Sequence, residues 1–230
     1  MPFVFAPVPT GMLPIEDEKN LYFPVNRVFG IAKNFGDTQE ALTHPKIFMK
    51  PSDAVVAVAG KKPMLLPMPT QTQALAYEVE LVVAIGKNGK NITPEEAEHY
   101  IYGYAVGLDM TRRDLQKTAL EHQLPWDAAK AFEQSAPIGV IRPYYRAPYT
   151  DQLDIWLYVN NQKVQSGNTR EMRMTVAQLI SYISTLWELK AGDLIMTGTP
   201  AGSGFVKTGD TLEGGVQGVG KIRVSYQSCK

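Results

Sequence analysis

The stretch Tyr77-Glu78-Val79-Glu80-Leu81-Val82-Val83 is an apolar run that carries two acids. Because side chains alternate along a β-strand, Glu78 and Glu80 share one face of the strand and the apolar side chains share the other. Two neighbouring carboxylates repel each other unless a positive charge lies between them, and carboxylate oxygens suit Mg²⁺ or Mn²⁺. A solvent-exposed strand face is the alternative, and the two glutamates taken alone favour that alternative.

A third acid, Asp109, follows a second short apolar run and precedes a predicted helix. Acids at strand ends are common in functional sites, although an Asp in front of a helix often serves only as a cap. If the helix forms, Arg113 and Gln116 lie on one face of it. The alternative is a solvated helix with ordinary ion pairs.

Two lysines lie among bulky apolar residues, Lys50 in Ile47–Pro51 and Lys130 in Pro125–Phe132. A buried lysine is costly unless it is paired, so each one implies an anionic partner. The alternative is a lysine whose stem packs while its head reaches water. Thr197-Gly198-Thr199-Pro200 follows an apolar strand as a tight loop, which could hold a carboxylate or simply turn.

Helix and strand signals are short and separated by many prolines and glycines, which favours a β-rich fold. The predicted helices run from Thr93 to about Tyr102, from near Thr111 to before Pro125, and over Thr175–Trp187. The predicted strands are Tyr77–Ile85, Tyr104–Leu108, Ile155–Val159, Leu194–Met196, Thr211–Glu213 and Lys221–Tyr226. Asn160-Asn161 predicts a hairpin turn, because asparagine tolerates positive φ.

The 230 residues suit one catalytic domain over residues 24–228, preceded by an irregular, proline-rich segment over residues 1–23. The chain has 23 basic and 23 acidic residues, and a net charge of zero argues against a nucleic-acid partner. Its single cysteine, Cys229, excludes an intrachain disulfide and fits a reducing compartment. No apolar run approaches the roughly 18 residues that cross a bilayer, and the first residues do not read as a signal peptide. We therefore expect a soluble, cytoplasmic protein without a membrane partner.

Residues 25–226 resemble the fumarylacetoacetate hydrolase family, in particular its short single-domain members of the acylpyruvase type. The resemblance rests on several blocks in order: Gly30–Phe35, Phe48–Pro51, Glu78–Leu81, Gly103–Gln116, Trp126–Phe132 and Gly192–Pro200. It implies an α+β fold that is predominantly β, a mixed β-roll with a few short helices. It also implies a homodimer with one Mg²⁺ or Mn²⁺ in each subunit.

The resemblance also implies roles for individual residues. It assigns the metal to Glu78, Glu80 and Asp109. It places five residues around the substrate: Lys50, Arg113, Gln116, Lys130 and Thr199. Of these, Lys130 and Arg113 are the implied catalytic residues, with Lys130 stabilising a developing enolate. Three carboxylates bring a charge of −3 against +2, which leaves coordination positions for the carboxylate and adjacent keto oxygen of a small 2-oxo acid.

The implied substrates are acylpyruvates and 2-oxo or 2-hydroxy-dienoic dicarboxylates, handled by a hydrolase, lyase or isomerase. Family hydrolases carry a His and, three residues later, a Glu that activate water, whereas this sequence has Thr38 and Ala41 at those positions. A general base commonly supplies about 10²–10⁴ in rate. The alternative is therefore a tautomerase or isomerase that cleaves no carbon–carbon bond. A further alternative is a binding protein with a degenerate site.

Overall fold

The computed structural model describes residue 4, residues 11–36 and residues 44–228. Over this part of the chain the strands are β1 Met12–Pro14, β2 Tyr22–Pro24, β3 Val28–Ala32, β4 Lys46–Lys50, β5 Val55–Ala57, β6 Met64–Pro67, β7 Leu75–Tyr77, β8 Val79–Ile85, β9 Ile101–Leu108, β10 Thr111–Arg112, β11 Ala136–Ile138, β12 Arg142–Pro143, β13 Asp154–Val159, β14 Gln162–Asn168, β15 Leu194–Met196, β16 Gly204–Phe205, β17 Thr211–Val216 and β18 Gly220–Gln227. The α-helices are α1 Arg113–Glu121, α2 Asp127–Lys130 and α3 Val176–Leu186. Short 3-10 helices lie at Ser52–Ala54, Ala97–Tyr100, Tyr144–Arg146, Thr150–Gln152 and Thr169–Glu171. The expected predominantly β architecture with few helices is confirmed.

An eight-stranded mixed sheet forms the centre of the fold, with the order β4-β3-β15-β8-β9-β11-β5 and β12 paired to β9. Strand β8 is buried on both faces, because its alternate residues enter two separate apolar clusters. Val79, Leu81 and Val83 enter the larger cluster, whereas Val82 and Ala84 enter the smaller one. A near-continuous apolar run is what such a central strand requires.

A second sheet of five strands, in the order β14-β13-β17-β18-β6, packs against the first. Its inward residues, among them Leu157, Leu212 and Ile222, lie in the same apolar cluster as β8. Helix α3 adds Leu179, Ile180 and Ile183 to this cluster. Each Å² of apolar surface that is removed from water contributes roughly 25 cal/mol to the free energy of folding. This shared core is therefore the main source of the protein's stability.

The part of the predicted irregular segment that the structure describes contains a small hairpin. β1 pairs with β2 in antiparallel register, and Leu13 and Phe23 are buried in the smaller apolar cluster. Ile15 bridges Ile141, which ties this hairpin to the central sheet. Prolines at either end keep the pairing to three residues on each strand, because proline donates no backbone hydrogen bond.

The first predicted helix is wrong in type and extent. The capping signal is present, since both the hydroxyl and the backbone N–H of Thr93 donate to the carboxylate of Glu96. The chain nevertheless forms only a turn and the 3-10 helix Ala97–Tyr100, and β9 begins at Ile101. Pairing of β9 with β8 begins with Ile101 opposite Ile85, so strand formation replaces the last helical turn and tertiary packing overrides the local signal.

The second predicted helix begins later than expected. Thr111 and Arg112 form β10, which pairs with β7, and α1 starts at Arg113. Asp114 bonds the loop at Thr72 instead of closing a capping box. The third prediction is confirmed, because Thr175 and Gln178 form a capping box at the start of α3.

The long strand predicted over Tyr77–Ile85 is wrong as a single element. It is interrupted at Glu78, where the chain passes from a three-stranded sheet that contains β7 to the central sheet that contains β8. The predicted hairpin turn is confirmed, since Asn160 and Asn161 have φ of 49° and 66° between β13 and β14. The remaining predicted strands are present, and β9, β17 and β18 are longer than expected.

Candidate active site and metal centre

Three acids converge at the place where strand β8 begins and strand β9 ends. Glu78 lies at the break before β8, Glu80 is the second residue of β8, and Asp109 directly follows β9. The backbone N–H of Asp109 donates to the carbonyl oxygen of Glu78 at 2.8 Å, which holds the two residues opposite each other. Carboxylate oxygens of the three acids all lie within 4.8 Å of one another. The side chains of Glu78 and Glu80, which were predicted to share one face, therefore both lie close to Asp109.

Lys130, at the end of α2, lies on two of these carboxylates. Its Nζ donates to Glu78 Oε2 at 2.8 Å, to Thr111 Oγ1 at 2.6 Å and to Asp109 Oδ2. The side chain of Lys130 is only 2% exposed. The anionic partners expected for a buried lysine are present, and they come from segments 21 and 52 residues away.

Lys50, in β4, lies on the other side of Asp109. Its Nζ is 2.9 Å from Asp109 Oδ1, and it donates to the carbonyl oxygens of Met110 and Lys130. The side chain is completely buried, and it is not among the residues that line the cavity described below. Lys50 thus holds Asp109 and the end of α2 in place.

Burial and charge shift the pKa values of these groups in opposite directions. Burial raises the pKa of Glu80 well above its ordinary value, and the nearby Asp109 and Glu78 raise it further. Burial also raises the pKa of Glu78, although Lys130 opposes the shift. For Asp109, burial is outweighed by Lys130 and Lys50, so its pKa is lowered.

The pKa values of the two lysines are also shifted in opposite directions. Burial acts to lower the pKa of Lys130, but Asp109 and Glu78 outweigh it and the pKa is raised. The pKa of Lys50 is lowered, because burial exceeds the attraction of Asp109 and Lys130 adds repulsion. Lys130 therefore stays protonated beside the acids.

The arrangement of the three acids fits a hard divalent cation. Glu80 has no ion pair with another described residue, and its Oε2 accepts a hydrogen bond of 2.7 Å from the backbone N–H of Gly198. Asp109 Oδ1 accepts no hydrogen bond of good geometry within the described chain, although Lys50 Nζ is close. Crowded, buried carboxylate oxygens with spare lone pairs match the ligand preference of Mg²⁺ and Mn²⁺.

Three further predicted residues lie beside the acids. Arg113, at the start of α1, donates from Nη2 to Glu78 Oε1 at 2.8 Å and to Ser203 Oγ at 2.7 Å. Its Nη1 donates to Gln116 Oε1 at 3.3 Å. Thr199, in the loop after β15, accepts a hydrogen bond of 2.9 Å from Gln165.

The predicted residues share one cavity of about 160 Å³. Seven of them line it: Glu78, Glu80, Asp109, Arg113, Gln116, Lys130 and Thr199. Lys50 is not among the lining residues, but it lies against Asp109, which is one of them, and its contact with substrate stays a prediction. Thr38 and Ala41, at the positions of the family's water-activating pair, lie outside the described residues.

Sequence reasoning missed two polar residues that hold the site together. Gln165 is buried, accepts from Val79 N–H and donates to Thr199 and to the Pro200 carbonyl oxygen. Asn34 bonds the backbone of Met174 and the carbonyl oxygen of Thr197. Asn34 stands in a recognisable block of sequence, but Gln165 lies in a polar strand where no local signal marks it.

Comparison with known proteins identifies the family. The family model described as fumarylacetoacetate (FAA) hydrolase C-terminal matches residues 27–225. This chain belongs to the fumarylacetoacetate hydrolase family. Relatives in the family include hydrolases, isomerases and tautomerases, and the chain is an enzyme of this family.

Two relatives of the family cover nearly the whole chain. The mitochondrial oxaloacetate tautomerase FAHD1 of Rattus norvegicus is 37% identical over 205 residues, 87% of this chain and 91% of that protein. The crystal structure of fumarylpyruvate hydrolase from Pseudomonas aeruginosa, in complex with Mn²⁺ and pyruvate, superposes with a TM-score of 0.95 and 40% identity. That match covers 99% of this chain and 100% of the other.

A more distant family member has another activity. The structure of 5-carboxymethyl-2-hydroxymuconate delta-isomerase from Mycobacterium smegmatis is 26% identical, with a TM-score of 0.81 over 90% of this chain and 82% of that one. The family fold thus carries several reaction types. Within the described residues, every helix is too short or too polar to span a lipid bilayer.

Proposed function

We propose that this protein is a divalent-metal-dependent enzyme that stabilises the enolate form of a small 2-oxo acid. The observation that carries the proposal is the convergence of three carboxylates within 4.8 Å beside the buried Lys130. Enolates of 2-oxo acids are intermediates in cleavage, decarboxylation and tautomerisation alike. One site of this kind can therefore serve the different reactions named for its relatives.

Glu78, Glu80 and Asp109 are the residues that would hold Mg²⁺ or Mn²⁺. A bound divalent cation would supply Lewis acidity towards the carboxylate and the keto oxygen of the substrate. The Mn²⁺ present in the Pseudomonas aeruginosa enzyme supports a metal of this class. The charge on Lys130 and the donors of Arg113 remain beside the acids for other roles.

The chain's own residues have separable tasks in this proposal. Lys130 Nζ, kept protonated by its two acids, lies on the cavity wall and stabilises negative charge that develops on a substrate oxygen. Arg113 and Gln116 present donors from the first turns of α1, and Thr199 lines the same cavity. These groups orient the substrate carboxylate, because charged and neutral donors together fix its plane.

Hydrolysis of an acylpyruvate is the first candidate reaction. It is supported by the likeness of the whole chain to the fumarylpyruvate hydrolase, whose structure contains pyruvate. Tautomerisation without carbon–carbon cleavage is the second candidate. It is supported by Thr38 and Ala41, which lack the basic and acidic groups of a water-activating pair, and by the oxaloacetate tautomerases among the relatives.

One experiment separates these outcomes. The protein loaded with Mn²⁺ or Mg²⁺ is incubated with fumarylpyruvate or oxaloacetate in D₂O and followed by NMR. Release of pyruvate from fumarylpyruvate indicates hydrolysis. Accelerated keto–enol exchange and deuterium uptake without scission indicates tautomerisation, and no acceleration of either process with metal bound contradicts the proposed enzyme and leaves a binding protein.

The Thr38→His and Ala41→Glu double variant tests the second candidate further. If absence of a water-activating pair limits cleavage, the variant hydrolyses acylpyruvates about 10²-fold or more faster than the wild type. An unchanged rate contradicts that explanation. The single variants serve as controls, because neither completes the pair.

The assembly and location of the protein are further proposals. We propose that the protein is a homodimer and that each subunit has one catalytic domain over residues 24–228. We also propose that it is located in the cytoplasm and has no nucleic-acid partner. The zero net charge of the chain supports the last point. Light scattering after size exclusion tests the dimer, and a monomer at micromolar concentration contradicts it.

A further inference from the structure

Arg113 stands on the wall between two open cavities. It lines the cavity that contains the acids, and it also lines a neighbouring cavity of about 380 Å³ that Ser203 lines as well. The side chain of Arg113 is 38% exposed, so packing alone does not fix the plane of its guanidinium. Because a long arginine side chain has many rotamers, the direction of its donors depends on the hydrogen bonds that it makes.

Three side chains of the described residues accept hydrogen bonds from Arg113. Nη2 donates to Glu78 Oε1 at 2.8 Å and to Ser203 Oγ at 2.7 Å, whereas Nη1 donates to Gln116 Oε1 at 3.3 Å. Glu78 is one of the acids that would hold a divalent cation, and a cation would compete with Arg113 for its carboxylate. The bond to Gln116 is the longest of the three. Ser203 is therefore the partner that keeps Nη2 in place when a metal binds Glu78.

The loop that carries Ser203 is fixed on both sides of this residue. Gly202 has a φ of +98°, and a Cβ there would overlap the carbonyl oxygen of Val164 in β14. Gly204 pairs with Tyr77 of β7, and a Cβ there would lie 2.5 Å from the Tyr77 hydroxyl. Both close approaches need glycine, so the backbone on either side of Ser203 packs directly on a neighbouring strand. The Ser203 hydroxyl thus has a rigid base, although the residue itself is exposed.

We propose that Ser203 is a positioning residue, which holds the Arg113 guanidinium on the wall of the acidic cavity with its donors directed at a substrate carboxylate. This inference rests on the proposed function, in which Arg113 binds that carboxylate. Ser203 is among the residues that line the neighbouring cavity and not among those that line the acidic one, so it acts through Arg113. A guanidinium that is held in advance loses less conformational entropy on binding, and this raises the affinity for the carboxylate.

A double-mutant cycle tests this connection, with calorimetry of pyruvate binding to the Mn²⁺-loaded protein as the readout. We expect Ser203→Ala to weaken pyruvate binding by about tenfold, which is the typical effect of losing a hydrogen bond to a charged group. Ser203→Thr keeps a hydroxyl and should restore most of the affinity. In the Arg113→Gln background, Ser203→Ala should have no further effect, because no guanidinium is left to hold. Ser166→Ala, at an exposed serine of β14, is the control and leaves the affinity unchanged.

Two results of the cycle would overturn the proposal. The first is an equal effect of Ser203→Ala with and without the Arg113 guanidinium, because Ser203 would then act independently of it. The second is wild-type affinity for pyruvate in Ser203→Ala. A merely structural role of the loop predicts the first result and does not predict rescue by Ser203→Thr.

The motion of the guanidinium separates this inference from the proposed reaction. NMR relaxation of arginine Nε–H groups reports side-chain motion without any substrate, and Arg113→Gln identifies the Arg113 signal by removing it. We expect the Arg113 order parameter to fall in Ser203→Ala and to stay unchanged in Ser166→Ala. If the wild type does not bind pyruvate but this order parameter falls, Ser203 holds Arg113 and the proposed function fails. An unchanged order parameter in Ser203→Ala overturns the positioning role.

Discussion

The backbone N–H of Gly198 donates a hydrogen bond of 2.7 Å to Oε2 of Glu80, and this bond joins the loop after β15 to the acidic triad. Glu80 and Gly198 are 118 residues apart in the chain. The bond holds one carboxylate oxygen of Glu80 through a backbone group, whereas the carboxylates of Glu78 and Asp109 are held by Arg113, Lys130 and Lys50. It also places Thr199, the next residue, on the cavity wall.

A methyl group at Gly198 should disturb this connection. Gly198 has a φ of +100°, and a Cβ there would lie 2.9 Å from the Asn34 Cβ. We expect Gly198→Ala to reduce stability by about 1–3 kcal/mol and to weaken metal binding. Gly209→Ala is the control, because Gly209 has a φ of +95° but open space around it. Equal effects of both variants on metal affinity, measured by calorimetry, would contradict a specific role for Gly198.

Glu80→Gln should separate metal binding from folding. The variant removes a ligand charge while it keeps the shape of the side chain and the contact with Gly198. Mutation of outer-shell partners commonly costs about 10–100-fold in metal affinity, so loss of a ligand should cost at least as much. Because burial raises the pKa of Glu80, the metal-free variant should be at least as stable as the wild type. Full activity of Glu80→Gln in the presence of a chelator would contradict the metal-dependent mechanism.

Lys130→Met should lower the free energy of unfolding, because it removes the buried positive charge that lies between the crowded acids. Removal of one partner from a buried ion pair commonly destabilises a protein by about 3–5 kcal/mol. We expect a loss of this order in the metal-free protein and a partial recovery with Mn²⁺, because the cation replaces the lost positive charge. Denaturant unfolding with and without Mn²⁺ measures both effects. Lys190→Met is the control, because its ion pair with Glu188 is on the surface and contributes little.

Metal affinity should rise with pH. Glu80 has a raised pKa in the folded, metal-free protein, so it keeps a proton that the unfolded chain loses above its ordinary value of 4.5. A cation must displace this proton, and calorimetry in buffers of different ionisation enthalpy should detect its release. An affinity that is independent of pH between mildly acidic and neutral solution would rule out this coupling.

The same group gives a sign for stability. A raised folded pKa means that its contribution to stability is present at low pH and lost as the pH rises through the folded pKa. The metal-free wild type should therefore lose stability from mildly acidic towards neutral pH, relative to Glu80→Gln. Asp109 acts oppositely, since its pKa is lowered and its contribution is lost as the pH falls through the folded pKa.

Gln165→Leu should disturb the loop that carries Thr199. Gln165 bonds Thr199, the Pro200 carbonyl oxygen and Val79 N–H, and the substitution leaves these groups without that partner. Unpaired buried polar groups commonly cost about 1–3 kcal/mol each. We expect lower stability and a rise in KM larger than the fall in kcat, because Gln165 positions a binding group. Gln162→Leu, on an exposed part of β14, is the control.

Much of the fold and of the candidate site could be predicted because the signals were local. The hairpin at Asn160-Asn161 and the capping box of α3 depend on residues within four positions of each other. The capping signal at Thr93 was equally local, but the α-helix that it predicted is absent. The reason is that strand β9, which pairs with β8, already begins at Ile101. Local signals fail where burial in a sheet offers more contacts than one more helical turn.

The sequence by itself predicted that Glu78 and Glu80 share a face and that Lys130, once buried, needs an anionic partner, because alternation along a strand and the cost of a buried charge are properties of the chain and of water. Only the tertiary structure showed that the carboxylate oxygens of Glu78, Glu80 and Asp109 converge within 4.8 Å, that Lys50 pairs with Asp109, and that Gly198 holds Glu80. These contacts join segments that lie far apart in the chain. Their geometry and the resulting pKa shifts exist only after the sheets have packed and excluded water.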